Sequence, residues 1–248
     1  MELISSSRNP RVLAWRSLST GKGRDEQNAF LVEGARIVQE AVNSEFEIQA
    51  VLIREGYTPA YTIPRNIQAY ALAENAFAAI TDTKTPQGIA AVITKQIRPL
   101  TGNRLLALDG VQDPGNVGTI IRTADAAGFD GVILSKECAD LFSPKVLRST
   151  MGSIFRMSFG FPEDLPEALR ALKEKGFSIR SSQLDGDPFF ERTNVSGQFV
   201  LIIGNEGNGV SAPVKAEATH RLRLPMHGGA ESLNAAVAAG IMMYDLTR

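Results

Sequence analysis

Short apolar runs alternate along this chain with stretches whose apolar residues recur every three or four positions, which is the pattern of strands interleaved with helices. Residues 5–19 carry Val12, Leu13, Trp15 and Leu18 among Arg8, Arg11 and Arg16, with Pro10 suited to a first helical turn. This predicts a short amphipathic helix with a basic side. The polar stretch GKGRDEQNAF reads as a loop, and Phe30-Leu31-Val32 starts a strand. Ile37, Val38, Ala41 and Val42 then fit one face of a helix over 35–43. Strands are expected at 48–53 and 89–93, weaker ones at 61–63 and 67–69, a helix at 73–80, and a turn at 83–88. This is a small α/β unit, followed by a linker at 95–103 that contains Pro99 and Gly102.

A second alternating stretch begins at the apolar run 105–108 and ends in Asp109-Gly110. A loop rich in turn formers, DPGNVG, leads to a helix over 119–127, and a strand at 132–134 completes a βαβ unit, so the sheet is expected to be parallel. Further elements are a helix at 142–150 with Lys145 and Arg148 exposed, a strand at 154–159, a helix at 165–175 and a strand at 177–181. A polar loop over 185–197 precedes a buried strand at 200–203, which opens into Gly204-Asn205-Glu206-Gly207-Asn208-Gly209. A short strand at 221–224 runs into Pro225. After the Gly-Gly loop, Ser232 is the expected N-cap of a helix whose residues Leu233, Ala236, Val237, Gly240, Ile241 and Tyr244 share a face. Two strand tips and one helix N-terminus would then converge and offer free amides to one ligand.

Composition narrows the choice. At 248 residues, 44% hydrophobic and 21% charged, the chain has the make-up of a soluble globular protein of one large or two modest domains. Lys+Arg 26 against Asp+Glu 27 leaves a net charge of -1, so a nucleic-acid partner would have to use a local basic face. One cysteine, Cys138, excludes an internal disulfide, and with only His220 and His227 beside it no metal site is expected. No apolar run is long enough to span a membrane and Met1-Glu2-Leu3 does not begin a signal peptide, so no membrane partner and a cytoplasmic location are expected. The turn DPGNVG is neither GxGxxG nor followed by GK[ST], which argues against a nucleotide-dependent dehydrogenase.

Three motifs, in order, resemble the SpoU (TrmH-like) branch of the SPOUT methyltransferases: Asn116 with Arg122 in DPGNVGTIIRTADAAGF, Glu206 in GNEGNGVS, and Ser232-Leu233-Asn234 after LPM. The resemblance is close from about Arg104 onward and looser before it. It implies an α/β fold with a C-terminal SPOUT methyltransferase domain, 104–248, tied into a deep trefoil knot. It also implies a smaller N-terminal domain, 1–96, whose FLVEGARIVQEAV and TKTPQGIAAV are similar to a ribosomal-protein-L30e-like RNA-binding module; a small α/β domain of other purpose is the alternative. The implied activity is transfer of a methyl group from S-adenosyl-L-methionine to a ribose 2′-hydroxyl of RNA, with ribosomal RNA the expected substrate. The alternatives are a transfer RNA substrate, or a non-catalytic RNA-binding protein of ribosome assembly.

The same resemblance makes Arg122, Asn116, Glu206, Ser232 and Asn234 the candidate catalytic residues, and Gly204, Leu224 and Leu233 the candidate cofactor contacts. The family's arginine is given the role of general base. A guanidinium stays protonated in proteins, so a grip on RNA phosphate that orients the hydroxyl is the better physical role for Arg122. A carboxylate against the sulfonium would stabilise the ground state, so Glu206 is expected to order Asn116, Arg122 or loop amides instead. Ser232 caps its helix, contacts the active site, or does both. Asn234 offers a donor and an acceptor. The small residues Ala235, Ala236, Ala238, Ala239 and Gly240 allow close helix packing, either in the homodimer that the resemblance implies or against the chain's own domain.

Overall fold

The structure is a computed structural model that describes residues 1–83, 85–192 and 197–248; four residues of the expected polar loop at 185–197, and one of the turn at 83–88, fall outside them. It divides into unit 1, Met1–Gln96 with Asp140–Arg156, and unit 2, Ile97–Ala139 with Met157–Arg248. The segment Asp140–Arg156 thus groups with the N-terminal residues, although it lies within the expected span 104–248.

Unit 1 is built on a mixed five-stranded sheet. In chain order its first elements are β1 (Glu2–Ile4), α1 (Pro10–Ser17), α2 (Gly21–Gln27), β2 (Ala29–Glu33) and α3 (Ala35–Val42). They are followed by β3 (Ile48–Arg54), β4 (Ala69–Leu72), α4 (Glu74–Ala78) and β5 (Ile89–Thr94). The strand order is β1-β4-β3-β5-β2, with β1, β4 and β3 parallel and β5 antiparallel to both β3 and β2.

Helix α1 starts where expected, because the Asn9 side chain accepts from the Arg11 amide at 2.9 Å and Pro10 needs no amide partner there. Its Val12, Trp15 and Leu18 pack on Leu52, Leu72, Phe77 and Val92, and Trp15 lies 5.4 Å from the Tyr70 ring. The stretch expected to be a polar loop is helix α2. Thr20 accepts from the Gly23 amide, Asn28 closes the helix in the left-handed region at φ 46, and Arg24 is buried and donates to the Leu18 carbonyl at 2.8 Å. Polar composition concealed it, because its contacts are capping bonds and one buried guanidinium rather than an apolar stripe.

Unit 2 carries a six-stranded sheet whose pairings are all parallel. Its elements begin with β6 (Arg104–Asp109), α5 (Pro114–Ala126) and β7 (Gly131–Leu134). Then comes α6 (Pro144–Thr150), which belongs to unit 1, where Phe142 packs at 5.0 Å on Phe30 and Arg148 pairs with Asp82 at 2.9 Å instead of standing free. The expected strand at 154–159 is a 3₁₀ turn, Ser153–Phe155, followed by β8 (Ser158–Gly160). The rest comprises α7 (Leu165–Glu174), β9 (Ser178–Pro188), β10 (Phe199–Gly204), α8 (Ala212–Glu217), β11 (His220–Arg223) and α9 (Ala235–Leu246).

The strand order β11-β9-β10-β6-β7-β8 puts β10 beside β6 and wholly within the core. Burial on both faces explains why β10 reads as an unbroken apolar run. Leu105, Ala107, Phe177, Ile179, Val200 and Ile202 form the core on one side with α7 and α8. In β9, Ser181 pairs with Arg221 but the next pairing joins Asp187 to Leu222, so residues 182–186 leave the ladder as a bulge.

Candidate active site

Helix α5 begins earlier than its sequence suggests. Asp113 caps it by accepting from the Asn116 amide at 2.9 Å, Pro114 fills the first position, and the turn-forming residues Gly115 and Asn116 are already helical. Asn116 is therefore held on a rigid first turn rather than in a loop.

The loop after β10 closes on itself and on the end of β6. Asn205 and Gly209 exchange main-chain hydrogen bonds at 3.0 and 2.9 Å. The Asn205 side chain donates to the Gly110 carbonyl at 2.8 Å and accepts from the amides of Gly207 and Asn208. Asp109, buried at the tip of β6, accepts from the Ser211 amide at 2.6 Å. Gly204 is glycine for a specific reason: a Cβ there would stand 2.2 Å from both Gly209 C and Val210 N. Gly209, at φ +67, supplies the left-handed turn.

Glu206 then joins this loop to α5. Its Oε2 accepts from the Gln112 amide at 3.1 Å, and its Oε1 accepts from the Asp113 amide and from Asn116 Nδ2, both at 3.0 Å. Desolvation pushes its pKa up, but the bonds from Asn116, Asp113 and Gln112 outweigh that and hold the carboxyl below its ordinary range. Its hydrogen bonds run to Asn116 and to the amides of Gln112 and Asp113, and none runs to Arg122 among the described residues.

The third strand of the arrangement comes from α9. Asn234, not Ser232, is its N-cap, with Oδ1 accepting from the amides of Ala236 at 2.9 Å and Val237 at 3.3 Å. Asn234 Nδ2 donates to Asn116 Oδ1 at 3.0 Å. A cap with a free amide end both terminates the helix and reaches a neighbour, which a serine hydroxyl at position 232, two residues earlier, does not do here. Helix α9 packs on α5, where Gly240 leaves Thr123 Cγ2 only 3.6 Å from the position a Cβ would occupy.

Beside this chain of side chains lies a cleft of about 420 Å³, within the roughly 300–1,000 Å³ usual for small-molecule sites. Gly204, Leu224 and Leu233 all line it, as do Glu206 and Ser232. Its apolar walls include Leu222, Met226 and Met242, and residues 204–209 line it as well. Gln183 also lines it, with neither carboxamide atom paired among the described residues. Apolar walls beside a glycine-rich loop fit an adenosyl group.

Arg122 is not brought to the cleft. It is exposed on α5 and makes no hydrogen bond or ion pair among the described residues. Six residues of helix turn it roughly 240° from Asn116 and carry it about 9 Å along the axis, so the two leave different faces. Asn205, Asp109 and Gln183 were not singled out by the motifs. Asp109-Gly110 at a strand tip was the available signal for Asp109; for Gln183 the sequence held none.

A parallel α/β sheet whose strand tips, glycine loop and final helix cap meet at a cleft of this kind is the arrangement expected of a methyltransferase of the SPOUT class. Residues 103–244 match the SpoU rRNA Methylase family, and residues 9–91 match the MRM3-like substrate binding domain. The chain is 41% identical over 247 residues, 99% of each sequence, to the 23S rRNA (guanosine(2553)-2′-O)-methyltransferase RlmP of Bacillus subtilis. Among solved structures, the AdoMet-bound rRNA methyltransferase from Sinorhizobium meliloti is 32% identical, with a TM-score of 0.88 over 99% of this chain and 97% of that one. A TrmH-family structure from Porphyromonas gingivalis is 34% identical, with a TM-score of 0.87 over 96% of this chain and 97% of that one. The protein belongs to the SpoU methylase family.

Proposed function

We propose that the protein transfers a methyl group from S-adenosylmethionine to a ribose 2′-hydroxyl of RNA, and that its substrate is ribosomal RNA. The observation that carries this reading is the hydrogen-bonded series Asn234–Asn116–Glu206 at the edge of the cleft, which joins two helix starts and the glycine loop, all distant in sequence. The ribosomal substrate is supported by the relative from Bacillus subtilis, which matches along the whole chain, both units included.

When bound, S-adenosylmethionine would supply an activated methyl group for the 2′-oxygen and leave as a neutral thioether, with the hydroxyl proton passing to solvent. The protein then has mainly to position the reactants. Glu206 accepts from three amide donors and keeps the loop shaped. Ser232, at the cleft, and Asn234, on the capped α9 start, face the transfer region. Arg122, exposed on α5 outside the cleft and unpaired among the described residues, holds an RNA phosphate and so orients the substrate.

In the same reading unit 1 is the RNA-binding, L30e-like part; its α1 leaves Arg8 and Arg16 exposed and unpaired among the described residues, suited to phosphate contacts. The C-terminal segment forms the deep trefoil knot, a reading supported by β10 lying between β6 and β9 while α9 returns to α5. The enzyme is a cytoplasmic homodimer, with Val237, Ile241 and Tyr244 of α9 as the apolar contact face. No helix among the described residues is long and apolar enough to cross a membrane.

The test is incubation of the purified protein with methyl-labelled S-adenosylmethionine and either ribosomal or transfer RNA, followed by nuclease mapping of the label. Label on a ribose 2′-oxygen of ribosomal RNA is expected. Arg122→Ala should reduce it by about 10²-fold or more, the size of loss usual for a positioned catalytic group, with cofactor affinity within a few-fold of the parent. Label on a base atom, or on transfer RNA alone, would overturn the assignment.

A further inference from the structure

Arg180 of β9 is 6% exposed, and its guanidinium has one acceptor among the described residues, the Ser178 hydroxyl, which takes the Nε–H at 3.0 Å. A guanidinium carries five N–H donors, so those on the two terminal nitrogens are left without a protein acceptor. Unlike Nε of Arg24 and of Arg192, which are sealed and unpaired, these terminal nitrogens keep contact with solvent. The acid of this region, Asp245, is taken by Arg192 at 2.6 Å. Burial first, and the charge of Arg192 second, push the Arg180 pKa down, so its surroundings add positive charge instead of offsetting it. In the sheet Arg180 stands opposite His220 of β11, whose pKa is pushed down by burial and by Arg180, with Asp187 opposing in part.

A charge this buried and without a counter-charge is costly, and a methionine would fill much of the same space without that cost. The two terminal nitrogens form a fork that matches two oxygens of one oxyanion. The sheet edge beside it extends the positive charge: β11 is the terminal strand, and its His220, Arg221 and Arg223 are exposed, neither arginine pairing with an acid among the described residues. A strip of cations suits a chain of phosphates better than a single small ion. We infer that Arg180 grips a backbone phosphodiester of the RNA substrate, at the β11 edge of unit 2. The inference rests on the methyltransferase reading above and adds to it a phosphate site on a different element from Arg122. Such a contact fixes the position of the RNA without reading its bases.

The experiment is filter binding of the full chain to ribosomal RNA across a salt series, with the parent, Arg180→Met and Arg180→Gln. Each protein is also melted thermally in chloride and in inorganic phosphate of equal ionic strength. Arg180→Met should bind RNA about tenfold more weakly, the ratio expected for one charge-assisted contact. The slope of log affinity against log salt should fall by about 0.7–0.9, the share of one phosphate. Its melting temperature in chloride should stay level or rise, because an uncompensated buried charge has been removed, and phosphate should stabilise the parent more than either variant. Arg180→Gln should lose the same slope, and two substitutions of different polarity guard against a local folding defect in one. A folded variant that keeps the parent's affinity and slope would overturn the inference; if phosphate then stabilised the parent alone, the ligand would be a free anion. Loss of slope-independent dimer mass in Arg180→Met by light scattering, with RNA binding kept, would give the guanidinium to a carboxylate of a second copy and overturn it too. A folded parent that does not bind ribosomal RNA would overturn the methyltransferase reading itself.

Discussion

Asn234 Nδ2 donates to Asn116 Oδ1 at 3.0 Å across 118 positions of sequence, and Asn116 passes the connection on through Nδ2 to Glu206. Both ends of the Asn116 amide are used, so its orientation is fixed by its neighbours. Asn116→Asp keeps the acceptor facing Asn234 but sets a second carboxylate against Glu206. At pH 7 this variant should be less stable than Asn116→Ala, by about 1 kcal/mol at this partly exposed position, and should recover toward it in acid as the pair takes up a proton. Denaturant melts of both variants between pH 7 and pH 4 check this; equal stability at pH 7 would show that the donation to Glu206 carries no weight.

The Glu206 carboxyl is held below its ordinary value of 4.5 by donors that require the ionised form, against the opposing effect of desolvation. Because the folded-state value is depressed, the stabilisation is fully present above the unfolded value and is lost as pH falls through the folded one. Glu206→Gln places an amide NH₂ where one oxygen accepted, so it loses at least one of the bonds to Gln112, Asp113 or Asn116. A loss of about 1–2 kcal/mol is expected at pH 7, discounted for solvent access. The gap between parent and variant should narrow below pH 4.5. A gap that is independent of pH would mean that the charge on Glu206 is not what orders the loop.

Gly204→Ala tests the close approach within the glycine loop. The new Cβ would meet main-chain atoms of Gly209 and Val210 at 2.2 Å, and backbone cannot swing aside as a side chain can. The loop must move, and with it the Asn205 and Glu206 contacts. Cofactor affinity should drop by at least about tenfold with a loss of roughly 1–3 kcal/mol in stability, the range for overpacking. Gly207→Ala, whose Cβ would lie 3.6 Å from Asn205 Oδ1, is the control and should fold like the parent.

These contacts mark what the chain announced in advance and what it did not. The apolar run at 200–203 and the glycines after it located β10 and its loop, because a strand buried on both faces and a tight turn have strong compositional signatures. Glu206, Asn116 and Asn234 were named by motif, yet their mutual bonds depend on α5 starting at Pro114 and α9 at Ala235, both of which the turn-forming residues obscured. Asn234 replaced Ser232 as the cap because either side chain can accept from backbone amides, and only the chain path into the helix decides between them. Helix α2 was missed for a related reason: capping by Thr20 and a buried Arg24 leave no apolar periodicity. Gln183 gave no signal, since the bulge that carries it arises from the pairing of β9 with β11, a relationship between segments that no local pattern records.

Helix α9 is apolar nearly all round, and the structure divides that surface in two. Ala236, Ala239, Met242, Met243 and Leu246 are buried, whereas Val237, Ile241 and Tyr244, spaced by four and three, are 51%, 39% and 54% exposed. Large apolar side chains aligned along one exposed face are costly to leave in water and fit a second copy of the same surface. In the proposed homodimer each residue would contribute twice across the twofold axis, at about 1.5–3 kcal/mol for a fully buried apolar side chain, so one substitution would act on both sides of the contact. The parent should show a mass near twice 26.8 kDa by light scattering. Ile241→Glu and Tyr244→Glu should each shift it toward a single chain while far-ultraviolet circular dichroism is retained, because neither side chain belongs to the buried set. A parent that stays monomeric at tens of micromolar, or an Ile241→Glu protein that stays dimeric, would remove α9 as the contact face.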